Sequence, residues 1–125
     1  MPATIQIDRR TRTLHVTFSG EFTTDYMVTT IQQMKDAIPG ETAYNVFSDH
    51  RGATMTATGD QIRMAAKLIG SPGSPFRGGR WAMVASGDAS FGMMRVLAVH
   101  IEDVPIEMEI FRDIESADRW LAREL

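Results

Sequence analysis

Apolar and polar residues alternate in two short segments near the start of the chain. Ile5 and Ile7 alternate with polar residues, and the apolar residues of segment 14–18 do the same. A period of two residues is typical of a β-strand that buries one face. The polar segment 8–12 joins the two strands, so the pattern predicts a β-hairpin.

Four later segments carry apolar residues at intervals of three and four, which is the period of an amphipathic helix. Their stripes are Met27, Ile31, Met34 and Ile38; Ile62, Ala65, Ala66 and Ile69; Phe91, Met94, Leu97, Ala98 and Ile101; and Ile114, Ala117, Trp120 and Leu121. The residues suited to cap these helices are Thr23 or Thr24, Thr58 with Gln61, Asp88 and Asp113. We predict that the first helix ends at Pro39-Gly40 and that the third runs from Asp88 to about Glu102.

Three further strands separate or follow these helices. Segments 43–47 and 81–85 are apolar with little alternation, which indicates strands covered on both faces. Segment 106–110 alternates apolar residues with two glutamates, a pattern typical of an edge strand. A loop rich in glycine, proline and serine spans residues 70–79.

The predicted order is therefore β-β-α-β-α-β-α-β-α, in one α/β domain over residues 1–125. Strands that alternate with helices form a largely parallel sheet with right-handed crossovers. The opening hairpin makes the N-terminal strand antiparallel to the second. We expect a mostly parallel five-stranded sheet and four helices, and the pattern leaves the order of the strands in the sheet open.

Composition narrows the class of protein. The chain has 125 residues, 43% hydrophobic and 23% charged, which is typical of a globular domain. Its net charge of −3 does not favour nucleic acid as a partner. It has no cysteine, no apolar run of the ~20 residues that a membrane span needs, and charged residues where a signal peptide requires an apolar run. We expect a cytoplasmic protein without a membrane span.

Four motifs, in order along the whole chain, resemble the SpoIIAA-like branch of the STAS / SEC14-like superfamily. They are Asp49-His50-Arg51 after the third strand, the apolar segment 80–85, Phe91-Gly92-Met93-Met94-Arg95, and segment 110–121 with its Ala117 and Trp120-Leu121. The family has an Asp-x-Arg, an apolar fourth strand, a Gly-x-x-Arg at the third helix and a similar closing helix. The resemblance implies a STAS-like fold.

The resemblance also implies a non-catalytic binding or regulatory module. Its ligand would be a partner protein or a small apolar or anionic molecule, and the SEC14-like relatives extend this to lipid-like ligands. STAS anti-sigma antagonists carry a phosphorylatable serine at the start of the helix after the third strand. The matching stretch 51–60 lacks that serine pattern and has Thr54, Thr56 and Thr58 instead. A phosphorylation-controlled switch at these threonines is one alternative function.

The cluster Asp49-His50-Arg51 is the first candidate for ligand binding, because open α/β sheets bind ligands at the carboxyl ends of their strands. An imidazole beside a carboxylate is also suited to acid–base chemistry. A small enzyme that uses His50 with Asp49 or Asp88 is therefore a second alternative. In the purely structural interpretation, Asp49 and Arg51 hold a loop by ion pairing while His50 is solvated.

Two further candidates lie on the third predicted helix. Asp88 begins it, and the free N–H groups of a helix N-terminus can hold an anion. Arg95 stands in an otherwise apolar helix, so it serves an ion pair, a ligand anion or a contact between subunits. The helix is more apolar than one stripe requires. It packs in the protein's own core, forms a homodimer face, or lines an adaptable ligand cavity with Met93 and Met94.

Other chemistry is not favoured by the spacing of the residues. The three histidines have no metal-ligand spacing, and the glycines and serines of segment 86–92 do not form the Gly-x-Ser-x-Gly of a nucleophile elbow. The sequence therefore predicts no catalytic residue, no metal site and no cofactor.

Overall fold

Five strands and four helices follow one another in the order that the apolar pattern predicts. The computed structural model describes residues 3–55 and 58–122. The elements are β1 (Thr4–Asp8), β2 (Thr13–Phe22), α1 (Thr24–Ala37), β3 (Asn45–Met55), α2 (Gly59–Gly70), β4 (Arg80–Val84), α3 (Asp88–His100), β5 (Glu107–Phe111) and α4 (Ile114–Ala122). The predicted α/β class and β-β-α-β-α-β-α-β-α order are confirmed.

The five strands form one sheet in the sequential order β1-β2-β3-β4-β5. β1 pairs antiparallel with β2, and every other pair is parallel. β5 is an edge strand, as the two alternating glutamates predict. β4 lies inside the sheet and all five of its residues are buried, which confirms the prediction that it is covered on both faces.

The helices are divided unequally between the two faces of the sheet. Strands β2 to β5 lie side by side in chain order, so each parallel crossover moves to the next strand in the same direction across the sheet. Because such crossovers are right-handed, α1, α2 and α3 lie on the same face. These helices share a large core cluster with β2, β3 and β4, to which Leu14, Met34 and Met83 belong. α4 covers the opposite face alone, where Ala117 packs against Phe47 and its neighbours.

Local side chains explain where most helices begin. The Thr23 hydroxyl accepts a hydrogen bond from the Tyr26 amide at the start of α1, and Thr58 forms the predicted capping box with Gln61. Asp113 accepts the Ser116 amide at 2.8 Å and caps α4. These caps agree with the sequence prediction.

The predicted cap of α3 is wrong. Gly87 occupies the capping position with an extended backbone (φ −83°, ψ 147°), and Asp88 is already helical. The Asp88 carboxylate instead pairs with Arg112 at 2.9 Å. α3 also ends at His100, before the predicted Glu102.

β3 differs most from its prediction. The apolar pattern gives a strand over 43–47, but β3 runs from Asn45 to Met55. Ala43 has a positive φ of 57° and belongs to the preceding turn. The strand continues through polar residues because the ten-residue β2 supplies ladder partners as far as Met55. The segment 49–51 therefore lies within β3 and not after it, which corrects the sequence interpretation.

None of the helices within the described residues is long and apolar enough to cross a membrane.

Candidate functional site

His50 faces the core under α1 because it follows Val46 and Ser48 in the alternation of β3, and a β-bulge begins at this position. The ladder between β2 and β3 slips by one residue after Thr17, so that His50 and Arg51 together lie opposite Phe18. Bulges of this kind re-aim side chains and are common beside binding sites. The His50 ring stacks on Phe18 with centroids 4.5 Å apart and planes 12° apart. The His50 ring is also nearly perpendicular to the Phe22 ring, with the two centroids 6.0 Å apart.

Three polar side chains form a buried hydrogen-bonded chain across β3 and β4. Ser48 and His50 face the same side of β3, and the Ser48 Oγ lies 3.0 Å from the His50 Nε2. Trp81 on β4 donates its indole N–H to the same Oγ at 2.9 Å. All three side chains are less than a tenth exposed, so these bonds hold the imidazole in one orientation.

An apolar cavity of about 50 Å³ lies between this part of the sheet and helices α1, α2 and α3. Its lining consists of Phe18, Phe22, Met27, Ile31, Met34, His50, Gln61, Ile62, Ala65, Ile69, Trp81, Met83, Met93, Met94 and Leu97. No charged side chain is among them. Gln61, Met93 and Leu97 are partly exposed, so the cavity approaches the surface between the start of α2 and α3.

The polar atoms in this lining are few, and most have partners. Gln61 accepts the Thr58 amide through its Oε1 at 2.9 Å and donates its side-chain amide to the Thr24 hydroxyl. Trp81 is engaged by Ser48. The His50 Nδ1 is buried and has no hydrogen-bond partner among the described residues. This nitrogen is enclosed, and the surface that the lining presents to a ligand is almost wholly apolar.

Burial controls the charge of His50. Desolvation lowers its pKa from 6.5 to about 4, and the negative charge of Asp49 only partly opposes this shift. Removing an imidazolium from water is costly, which disfavours the protonated ring. At neutral pH the ring is uncharged, so its two nitrogens are one donor and one acceptor.

Asp49 and Arg51 point to the opposite face of β3 and bind each other. The Arg51 guanidinium donates to both carboxylate oxygens of Asp49 at 2.9 Å. This hydrogen bonding holds the pKa of the Asp49 carboxyl below its usual range. The ion pairing expected of these two residues is confirmed, but the expectation that His50 is solvated is wrong. The Asp49–His50 acid–base pair does not form, because neighbouring residues of a strand face opposite ways.

The remaining candidates lie away from the cavity. Asp88 is exposed and bound to Arg112, whose guanidinium also stacks over the Phe91 ring at 4.3 Å. Arg95 is exposed and borders a separate open groove with Glu102. No carboxylate of the described residues lies within 4.0 Å of Arg95. The five predicted ligand-binding residues therefore do not meet in one site, and only His50 lines the cavity.

Comparison with known proteins identifies the fold. No protein-family model matches the sequence, and no curated protein is significantly similar to it. A crystal structure of an uncharacterised DUF3478-family protein from Shewanella loihica PV-4, described as having a SpoIIAA-like fold, matches with a TM-score of 0.63. The match covers 97% of this chain and 94% of the other at 21% identity. The protein has a SpoIIAA-like fold. This confirms the fold that the four motifs imply, and at 21% identity it establishes the fold alone.

Two of the three candidate phosphorylation sites can be placed in the SpoIIAA-like fold. Thr54 is exposed near the end of β3, and Thr58 is exposed at the start of α2. The Thr58 hydroxyl is engaged because it accepts the Gln61 amide at 3.2 Å. Thr56 lies outside the described residues.

The sequence interpretation missed most of the cavity in this SpoIIAA-like fold. It assigned Trp81 to an interior strand and Gln61 to a cap, and it gave Phe18 to the core, without bringing them together. The feature of the sequence that indicates the cavity is its methionines, since Met93 and Met94 are suited to line an adaptable apolar cavity. Five of the nine methionines in the chain line it.

Among the described residues, no group of three histidine, aspartate or glutamate side chains is arranged to hold a metal ion.

Proposed function

We propose that this protein is a non-catalytic binding module that holds a small apolar ligand between the sheet and helices α1–α3. The observation that carries the proposal is the cavity of about 50 Å³, whose lining is almost entirely apolar. It lies beside the carboxyl half of β3, the end at which open α/β sheets commonly bind ligands. An apolar pocket with one or two fixed polar groups is the usual form of a small-molecule site.

The cavity is costly to the protein if nothing uses it. Protein cores are closely packed, and empty volume destabilises them by about 24 cal/mol per Å³. A cavity of about 50 Å³ thus costs roughly 1 kcal/mol. A ligand that fills it restores the missing contacts, so binding of apolar molecules is favourable.

The methionines allow a larger ligand than the cavity volume alone suggests. Met27, Met34, Met83, Met93 and Met94 belong to the lining and come from α1, β4 and α3. Methionine is unbranched and polarizable, and it adapts to ligands of different shape. A cavity of about 50 Å³ has room for only one or two water-sized molecules, so even a ligand of four or five carbon atoms requires these side chains to move aside.

The charges favour an uncharged apolar ligand over an anion. The described lining holds no arginine or lysine, and burial keeps His50 neutral at pH 7. An anion in such a site would lose its hydration without gaining a counter-charge. The proposal is non-catalytic because Ser48, which bonds to His50, is fully buried and is also bound by Trp81, while Asp49 bonds to Arg51.

Isothermal titration calorimetry with 2-methylbutane tests this function directly. Wild-type protein is expected to show one saturable site. Ala65→Leu adds three carbon atoms at a lining residue and should abolish binding. Ala66→Leu is the matched control, because Ala66 is the next residue of α2 and borders a different, open groove.

The result is interpretable only for variants that fold, so near-ultraviolet circular dichroism is measured on all three proteins. Binding to wild type and Ala66→Leu but not to Ala65→Leu supports the proposal. Absence of saturable binding to wild type, or equal binding to Ala65→Leu, contradicts it.

A further inference from the structure

β5 leaves one edge of the sheet open. It is the last strand of the sheet, and among the described residues only β4 pairs with it. The Glu107 amide and the Phe111 carbonyl bond to residues that flank β4. Because the backbone groups of successive strand residues point in opposite directions, those of Met108 and Ile110 point away from β4. Their N–H and C=O groups are a template on which a further strand can pair.

An open groove lies along this edge between β5 and α3. Met108 and Ile110 line it from β5, and Phe91, Ala98 and Val99 line it from α3. Val99 is 60% exposed, so apolar surface at the rim is uncovered. A strand paired with β5 would direct every second side chain into the groove. The groove shares no lining residue with the apolar cavity, so this surface is independent of the proposed function.

The two faces of β5 offer different charges to such a strand. Glu109 is the ladder partner of Ala82 and shares its face of the sheet, the α4 side. Glu109 is exposed, and no cationic side chain of the described residues lies within 4.0 Å of it. On the other face Arg95 lines the groove, which disfavours a second cation there. Since opposite charges on neighbouring strands attract, a partner strand gains most from basic side chains beside Glu109 and apolar side chains in the groove.

We propose that β5 binds an extended peptide segment of a partner protein in which basic and apolar residues alternate. The segment adds a sixth strand to the sheet, with its basic residues on the side of Glu109 and its apolar residues beside α3. Hydrogen bonds to the backbone of Met108 and Ile110 provide affinity, and the alternation of side chains provides specificity. The β5 strand of a second copy fits poorly, because it would bring further glutamates to Glu109 and like charges across strands repel.

The charge pattern is tested with the peptide acetyl-Lys-Val-Lys-Val-Lys-Val-amide, titrated into nitrogen-15-labelled protein and followed by NMR. Saturable shifts are expected for the amides of Met108 and Ile110. Glu109→Lys replaces an attraction by a repulsion and should weaken binding by about fivefold. Glu21→Lys is the matched control, because Glu21 is exposed on β2, which β3 and β4 separate from β5. It should leave the affinity unchanged.

Methylation of the peptide amides tests the added strand on the wild-type protein, without any variant that must fold. In a strand, the N–H groups of alternate residues point to the same neighbour. Either the valine amides or the lysine amides therefore bond to β5, depending on the direction of pairing. N-methylation of one set should abolish binding, and N-methylation of the other set should largely preserve it.

The outcomes separate strand addition from other ways of binding. Unequal effects of the two methylated peptides, with weaker binding to Glu109→Lys alone, support the proposal. Equal effects of the two peptides, shifts that leave out Met108 and Ile110, or no saturable shift overturn it. Equal affinities of wild type, Glu109→Lys and Glu21→Lys overturn the basic character of the partner. Shifts of Met108 and Ile110 that depend on protein concentration without peptide would assign the edge to a second copy and also overturn it.

Discussion

Single residues of β3 divide their roles between the two faces of the sheet. His50 faces α1–α3, stacks on Phe18 and lines the cavity. Asp49 and Arg51 face the other way and bind each other. Sequence alone could predict this ion pair, since residues two apart on a strand share a face. It could not predict the burial of His50, because the residues that cover this position come from β2 and from helices distant in the sequence.

The buried His50 makes stability depend on pH. Its pKa is about 4 in the folded protein against 6.5 for the free group, so the unfolded chain binds the proton more tightly. The contribution of neutral His50 to the free energy of unfolding is fully present above pH 6.5. It is lost, by roughly 3 kcal/mol, as the pH falls towards 4. Urea unfolding at several pH values measures this decline.

The variant His50→Phe is the control for that prediction. It keeps an aromatic ring beside Phe18 and cannot be protonated. The difference in unfolding free energy between wild type and variant should therefore change between pH 6.5 and pH 4. A difference that stays constant over this range would show that His50 is not buried in its neutral form.

The Asp49–Arg51 pair should matter little for either stability or ligand binding. The Arg51 side chain is 45% exposed and that of Asp49 14%, and exposed ion pairs contribute less than about 1 kcal/mol. Arg51→Ala should lower the unfolding free energy by no more than this and leave the affinity for 2-methylbutane unchanged. A marked loss of affinity would place the ligand on the α4 face of β3.

At the scale of whole elements, local signals succeed and contacts between distant segments decide the rest. The capping box of Thr58 and Gln61 can be recognised from four consecutive residues, and it forms as predicted. The length of β3 depends on the ladder with β2, which no local pattern contains. The cap of α3 fails because Gly87 takes the extended conformation one residue before Asp88.

Two glycines give opposite predictions at this scale. A Cβ at Gly79, just before β4, would collide with the backbone carbonyl of Tyr44, the residue just before β3. Backbone cannot yield as a flexible side chain does, so Gly79→Ala should destabilise the protein by more than about 2 kcal/mol.

Gly92 provides the matched control. It lies within α3 and a Cβ there meets no atom within 4 Å. Alanine favours a helix over glycine, so Gly92→Ala should stabilise the protein by about 0.5–1 kcal/mol. Chemical denaturation measures both changes. Equal effects of the two substitutions would contradict the close approach of Gly79 to β3.

At the scale of the whole molecule, the sequential strand order produces the site. α1, α2 and α3 lie on one face of the sheet, and their gap over β3 and β4 is the cavity. The α/β class, the element order and the interior position of β4 could be predicted from apolar periods. The strand order could not, and neither could the meeting of His50 with residues of α1, α2 and α3, because both require the assembled sheet.

The cavity as a ligand site is tested most directly by methionine methyl groups. Carbon-13 labelling of these methyls allows each to be followed by NMR during titration with 2-methylbutane. Saturable shifts are expected for the five lining residues, Met27, Met34, Met83, Met93 and Met94. Met64, 43% exposed on α2, and Met108 on β5 lie outside the lining and should not shift. Shifts confined to Met64 or Met108, or no saturable shift at all, would contradict a ligand site between the sheet and α1–α3.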